Sequence, residues 1–234
     1  MRVILAYVVI LTFCLQDVTA QSWNFLRFYT PSNSVGFTSL SGDMIVPAAP
    51  NPNRGTPYLW PGLQDISITG VFQSVLDGRS NNPNYMAGQW YMANGWCCAN
   101  PSLPWGPGGF HAKKGDSIHF TYNRSTTTPN WDTTLVLNNQ PSTKVVDSFP
   151  LAYKNFNQVL FAIELYDQAW NFGSVVFKNV VITTNSTDTS WCTKTPENYN
   201  SATNYTLGRI TSQVNQRDKT MACFIESVNL WGPR

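Results

Sequence analysis

This sequence of 234 residues contains little charge: 12% of its residues are charged, against roughly 25% in an average globular protein. Its 15 lysines and arginines and 13 aspartates and glutamates leave a formal net charge of +2. So small a charge produces no strong field for holding a nucleic acid or an anionic membrane surface, and we expect neither as a partner. The 42% of hydrophobic residues excludes a disordered chain.

Side chains that bind metals or act as nucleophiles are also scarce. With two histidines, His111 and His119, and no Cys-x-x-Cys pair, the sequence argues against a zinc site, and it has no phosphate-binding glycine loop. We therefore expect neither a metal nor a cofactor. A Ser-His-Asp triad is disfavoured because His119 lies in an ordinary strand sequence and the Gly-x-Ser-x-Gly motif is missing.

Glutamate is rare as well, and it occurs only at Glu164, Glu197 and Glu226. Glycoside hydrolysis normally requires two facing carboxyl groups. Glu164 and Asp167 are an odd number of residues apart, so on one strand their side chains point to opposite faces. A partner from another strand, such as Asp77, is the remaining way to build a glycosidase.

The first 20 residues have the pattern of a secretory signal peptide. Arg2 precedes the apolar run Val3–Leu15, and small residues lead to a cleavage site after Ala20. A membrane anchor is the alternative, but this run is shorter than the roughly 20 residues that span a bilayer. We expect a secreted protein with a single domain in residues 21–234. Three sequons are candidate glycosylation sites, at Asn123, Asn185 and Asn204.

Four cysteines remain once Cys14 is removed with the signal peptide, and an oxidising compartment predicts that they form disulfides. We favour Cys192 with Cys223, which would tie down the C-terminal segment. That choice leaves Cys97 and Cys98 as an uncommon vicinal pair, so the two crosswise pairings stay open.

Short runs rich in β-branched and aromatic residues predict an all-β sandwich. Clusters of Pro, Gly, Asn and Ser at 47–57, 79–88 and 99–109 predict loops between them. The best candidate for a helix is Leu207–Asn215, although its β-branched residues are poor helix formers. The predicted strands are Gly36–Val46, Asp65–Leu76, Gln89–Met92, Ser117–Tyr122, Thr133–Leu137, Val159–Tyr166 and Ser174–Thr183.

Two of these strands carry polar residues on an otherwise apolar face. In Val159–Tyr166, alternation sets Glu164 among apolar neighbours. In the strand before Asp77, alternation puts Gln73 and Asp77 on one face. Pattern alone favours a solvated face for these residues, since polar side chains usually mark one.

Seven short motifs occur in an order that resembles the eqolisins, the secreted glutamic peptidases of fungi and some bacteria. The resemblance spans most of residues 21–234 and implies a concanavalin-like, jelly-roll sandwich of two antiparallel sheets, with substrate across its concave face. The motifs are Phe37–Pro47, Trp60–Leu63, Val71–Ser74, Gly88–Tyr91, Lys114–Ile118, Ile163–Glu164 and Asn171–Phe177.

By this resemblance, Glu164 matches the catalytic glutamate and Gln73 the catalytic glutamine, while Trp60, Asp77 and Trp90 match residues that support the site. The implied protein is a secreted, monomeric acid endopeptidase acting on polypeptides. Ionised Glu164 would activate a water molecule, and the Gln73 amide would stabilise the oxyanion. An acidic optimum requires that hydrogen bonds or charges keep the pKa of Glu164 low.

Two positions depart from the family pattern. Gln64 and Met92 stand where acidic residues usually follow the two tryptophans. These departures keep an alternative function open: a concanavalin-like protein that binds carbohydrate or another surface without catalysis. Three tryptophans in or beside turn-rich segments would be its stacking platforms, at Trp90, Trp96 and Trp105.

Overall fold

Among the described residues of the computed structural model, the regular structure consists of fifteen strands and two short 3-10 turns, Pro141–Thr143 and Tyr199–Ser201. The structure describes residues 21–51, 53–98, 100–201 and 203–233, so the expected signal peptide lies outside the described residues. Within these ranges no helix is long and apolar enough to cross a membrane. The strands are β1 Gln21–Tyr29, β2 Phe37–Ile45, β3 Thr56–Gln64, β4 Gly70–Asp77, β5 Trp90–Cys98, β6 Gly109–Ala112, β7 Ser117–Arg124, β8 Trp131–Leu137, β9 Val145–Phe149, β10 Gln158–Tyr166, β11 Val175–Thr184, β12 Glu197–Asn198, β13 Thr203–Leu207, β14 Ile210–Asn215 and β15 Thr220–Pro233.

The strands form two antiparallel sheets that pack face to face. The first has the order β12-β1-β10-β3-β4-β5-β6, and the second has β13-β15-β11-β2-β7-β8-β9, with β14 paired to β15. The predicted all-β sandwich is confirmed. The sheet order places β10 between β1 and β3, and β4 follows on the other side of β3.

An aromatic cluster fills the core between the sheets. Phe72 from β4 meets Tyr122, Trp131 and Phe149 edge-on and stacks on Phe156, with ring centroids 5.0 to 6.3 Å apart. Such aromatic pairs contribute about 0.5–1.5 kcal/mol each beyond the burial of their area. The inward face of β4 is therefore held firmly, which sets the position of its outward face.

A buried polar network also links the two sheets under β4. The Ser74 hydroxyl donates to Asn94 Oδ1 at 2.6 Å and lies 2.6 Å from the Tyr122 hydroxyl. Asn94 Nδ2 donates to Asp147 Oδ2 at 2.8 Å, and the Thr133 hydroxyl donates to Asn94 Oδ1 at 3.3 Å. Buried polar groups satisfied in this way hold strands in one register, because any slip would leave them unpaired.

The predicted helix at Leu207–Asn215 is wrong, because β14 occupies Ile210–Asn215 and pairs with β15 along its whole length. Its β-branched residues suit the strand. Seven other described strands were also not predicted: β1, β3, β6, β9, β12, β13 and β15. Strand β3 was hidden by Pro61 and Gly62, and the ladder between β3 and β4 skips Trp60 and Pro61, which accommodates the missing proline N–H.

The favoured cysteine pairing is the one in the structure. The sulfur atoms of Cys192 and Cys223 lie 2.08 Å apart, and their Cα atoms are 5.6 Å apart. This bond ties the segment after β11 to β15. Cys97 and Cys98 form the vicinal pair at the end of β5.

Candidate active site

A cleft of about 780 Å³ lies on the face of the first sheet that points away from the core. Neighbouring strands β10, β3, β4 and β5 form its floor, and the segments before and after β5 form its walls. The strand residues with polar groups in it are Thr56, Tyr58, Gln73, Asp77, Tyr91, Glu164 and Tyr166.

Strand alternation explains how Gln73 and Glu164 reach the same cleft. In β4, Phe72 and Leu76 point into the core, so Gln73 and Asp77 point outward. In β10, the alternate set that includes Glu164 faces the same side of the sheet. The shared face of Gln73 and Asp77 predicted from the sequence is present, and it forms the floor of a cleft rather than an open solvated surface.

Two hydrogen bonds hold the carboxyl group of Glu164. The Trp60 indole N–H donates to Oε2 at 3.3 Å, and the Tyr166 hydroxyl donates to Oε1 in a short bond. Gln21 Nε2 in turn donates to the Tyr166 oxygen at 3.0 Å. With 9% of the residue exposed, Glu164 is a buried carboxyl group in a fixed orientation.

Burial raises the pKa of Glu164 above its usual value of 4.5, although the hydrogen bonds from Tyr166 and Trp60 partly oppose this rise. Burial and the neighbouring carboxylate raise the pKa of Tyr166 as well, so its hydroxyl stays protonated and remains a donor. Burial likewise raises the pKa of Tyr58 to about 12. The pKa of this carboxyl group is therefore raised rather than lowered, because loss of hydration outweighs the two hydrogen bonds.

Gln73 lies between two glycines. In the register of the sheet, Gly62 of β3 is opposite Gln73 on one side and Gly95 of β5 on the other. Neither neighbour has a side chain. The space that a side chain would take is occupied by Val71 at position 62 and by the Trp105 indole at position 95. A Cβ at position 62 would meet Val71 at 2.9 Å, and one at 95 would overlap the Trp105 indole.

Asp77 is fully engaged by its own loop. Its carboxylate accepts bonds from the Arg79 guanidinium at 2.7 to 3.1 Å, from the Arg79 backbone N–H at 2.8 Å and from Asn82 at 2.8 Å. The guanidinium also lies 5.3 Å from the Tyr58 ring centroid. Asp77 thus shapes the polar wall of the cleft, and this ion pair argues against its use as the second carboxyl group of a glycosidase.

Trp90 lies in the core and does not line the cleft. It is 1% exposed, packs edge-on against Phe172 and donates its N–H to the Pro47 carbonyl at 3.3 Å. Trp96 is 2% exposed and donates to the Pro101 carbonyl. Neither can stack on a sugar, so two of the three predicted platforms are wrong. Trp90 and Trp96 belong to the face of β5 that points into the core, so they are buried even though turn-rich segments flank them in the sequence.

The two departures from the family pattern also lie away from the cleft. Met92 is fully buried in the core, and Gln64 ends β3 with its amide 3.5 Å from the Gly70 carbonyl.

The sequence reasoning missed Tyr58 and Tyr166. The second could have been found, since it follows Glu164 by two residues and therefore shares its face.

Metal ligands do not gather in this cleft. Over the described ranges, no three His, Cys, Asp or Glu side chains lie close enough together to hold a metal ion. The chemistry that this chain's residues offer here is that of a carboxyl group, an amide and phenolic hydroxyls.

Comparison with known proteins gives a match in structure only. No family model and no curated protein matches the sequence. Among solved structures, scytalido-glutamic peptidase with a transition state analog inhibitor has a TM-score of 0.52 at 16% identity, over 88% of this chain and 98% of that one. The chain therefore has the sandwich fold of a glutamic peptidase.

Two other solved structures match less closely. SCP-B, a member of the eqolisin family in complex with the tripeptide Ala-Ile-His, has a TM-score of 0.45 at 14% identity, over 88% of this chain and 98% of that one. An endo-1,3-beta-glucanase from Streptomyces sioyaensis has a TM-score of 0.35 at 10% identity, over 87% of this chain and 67% of that one.

Proposed function

We propose that this protein is a secreted glutamic endopeptidase that hydrolyses peptide bonds with Glu164 and Gln73. The observation that carries the proposal is the buried carboxyl group of Glu164, held by Trp60 and Tyr166, on the floor of the cleft that also contains the Gln73 amide. The shared fold of a glutamic peptidase crystallised with a transition state analog inhibitor supports a polypeptide as substrate.

In this mechanism ionised Glu164 is first a general base and then a general acid. It takes a proton from a water molecule as that water attacks the scissile carbonyl, and the C–N bond breaks when Glu164 returns the proton to the leaving amine. Gln73 donates its amide N–H to the oxyanion. Since an amide does not titrate, Gln73 keeps this role at every pH. Tyr166 holds the carboxyl group in its orientation, and the Trp60 indole N–H stabilises its ionised form.

The pKa of Glu164 sets the acid limit of this activity. Because burial raises that pKa, the ionised form is lost at a higher pH than for an ordinary glutamate. We therefore expect the acid limb of the pH profile to lie above pH 4.5, with activity in the mildly acidic to neutral range. The acidic optimum implied by the resemblance stays a prediction, with its acid limb set by this raised pKa.

The test is cleavage of a denatured protein by residues 21–234 between pH 2 and 7. We expect Glu164→Gln to abolish cleavage and Gln73→Ala to lower the rate by roughly 100- to 1000-fold, the usual effect of removing one oxyanion donor. The matched control is Glu226→Gln, an exposed glutamate outside the cleft. Full cleavage by the Glu164→Gln variant would refute the proposal.

A folded wild type that cleaves nothing would leave the carbohydrate-binding alternative. That alternative now depends on Trp105, which is 46% exposed and lines the cleft. Saturable binding on a glycan array that Trp105→Ala weakens and Glu164→Gln leaves unchanged would support it.

A further inference from the structure

The two ends of the cleft differ in chemistry. Around Asp77 and Arg79 the wall is polar and carries Asn81, Asn82 and Asn84. Beyond Tyr91, along the later residues of β5 and the facing part of β4, the lining includes small or apolar groups and an indole. These are Val75, Ala93, Cys97, Cys98, Trp105 and Pro107.

The indole of Trp105 lies against the backbone of β5. A Cβ at position 95 would overlap its ring, so the glycine there is what lets the indole lie so close to the strand. Because Gly95 is the register partner of Gln73, the ring lies one strand away from the amide, and paired strands are about 5 Å apart.

A backbone hydrogen bond of the next residue fixes the position of Trp105 relative to β5. The next residue, Gly106, donates its backbone N–H to the Asn94 carbonyl at 2.9 Å. The Asn94 side chain is itself fully buried and bonded to Asp147 at 2.8 Å. The backbone next to the indole is therefore fixed, the ring packs on Gly95, and the 46% exposed side chain lines the cleft.

We propose that Trp105, together with the vicinal pair Cys97–Cys98 and Ala93, forms an apolar subsite for one large hydrophobic side chain of the substrate. This proposal depends on the proposed function only in assigning which residue of the substrate peptide the subsite binds. Since Gln73 would contact the scissile carbonyl oxygen, the residue bound one strand away is one of the two that flank the scissile bond. Covering the exposed ring with an apolar side chain removes both from water.

The first experiment profiles cleavage sites in a peptide library with wild type, Trp105→Ala and the control Trp231→Ala. Trp231 is exposed to a similar degree, 50%, but lines a different groove. We expect wild type to prefer Phe, Leu or Met over Ala at one flanking position. Trp105→Ala should reduce the ratio of kcat/KM for Phe over Ala by about tenfold, and Trp231→Ala should leave that ratio unchanged.

The second experiment measures binding without cleavage, which separates this inference from the proposed function. Glu164→Gln protein, with and without Trp105→Ala, is titrated with two fluorescent peptides that differ only by Phe or Ala. Tighter binding of the Phe peptide that is lost with Trp105→Ala supports the subsite even if wild type cleaves nothing. Equal binding of both peptides, or a Phe preference that survives Trp105→Ala, overturns it, and a wild type that still cleaves then retains the proposed function.

Discussion

The hydrogen bond from Trp60 to Glu164 offers a sharp test of how the site controls its proton. Trp60→Phe removes the indole N–H and keeps an aromatic ring in the apolar cluster around it, which includes Phe25, Val75 and Leu160. Since that bond lowers the pKa of Glu164, its loss raises the pKa further. The carboxyl group then ionises at a higher pH.

The size of the effect follows from the geometry. A hydrogen bond to a charged group contributes about 1.5–3 kcal/mol, and the 3.3 Å distance from Trp60 to Glu164 is at the long end of the usual range. We therefore take about 1.4 kcal/mol, which corresponds to about a tenfold change in the ionised fraction at a given low pH. At a pH where Glu164 is fully ionised in both proteins, their rates should agree to within about twofold.

The assay is kcat/KM for one peptide measured across the whole pH range. The control is Trp90→Phe, which removes another buried indole N–H bond of 3.3 Å, but to the Pro47 carbonyl in the core. That variant should lose stability without moving the acid limb. A Trp60→Phe variant whose rate falls equally at every pH, or whose acid limb stays in place, would refute the reasoning.

Three further predictions concern stability. Because the pKa of Glu164 is raised in the folded state, the stability it contributes is complete below pH 4.5 and is lost as pH rises through the raised pKa. Glu164→Gln should therefore melt at a higher temperature than wild type at pH 7 but not at pH 3, and a difference independent of pH would contradict this. Replacing Cys192 and Cys223 by alanine removes the bond that closes a loop with a sequence separation of 31. The free energy of unfolding measured in urea should fall by about 3.5–4 kcal/mol. A loss below about 1 kcal/mol would mean that the disulfide constrains the unfolded chain little. Tyr122→Phe removes the hydroxyl 2.6 Å from Ser74 and should destabilise by about 1–3 kcal/mol in the same assay, and an unchanged midpoint would show that the buried network adds nothing.

The sequence alone determined the fold class and much of the face that carries the site. Alternation with a period of two residues is a local property of a strand, so it assigned Gln73 and Asp77 to one face before any pairing was known. The same rule places Tyr166 on the face of Glu164, although its contact with the carboxyl group was not predicted. Apolar runs between turn residues likewise predicted seven of the fifteen described strands, and the even number of cysteines predicted that they pair.

Tertiary structure decided what those residues meet. The order β10-β3-β4-β5 brings Glu164 and Gln73, far apart in the chain, into one cleft. Strand β3 is a strand because its neighbours pair with it, despite Pro61. The burial of Trp90 and the exposure of Trp105 also depended on packing, since composition does not specify which face of a strand or loop is covered. The raised pKa of Glu164 is the clearest case, because loss of hydration arises only when distant strands close around the carboxyl group.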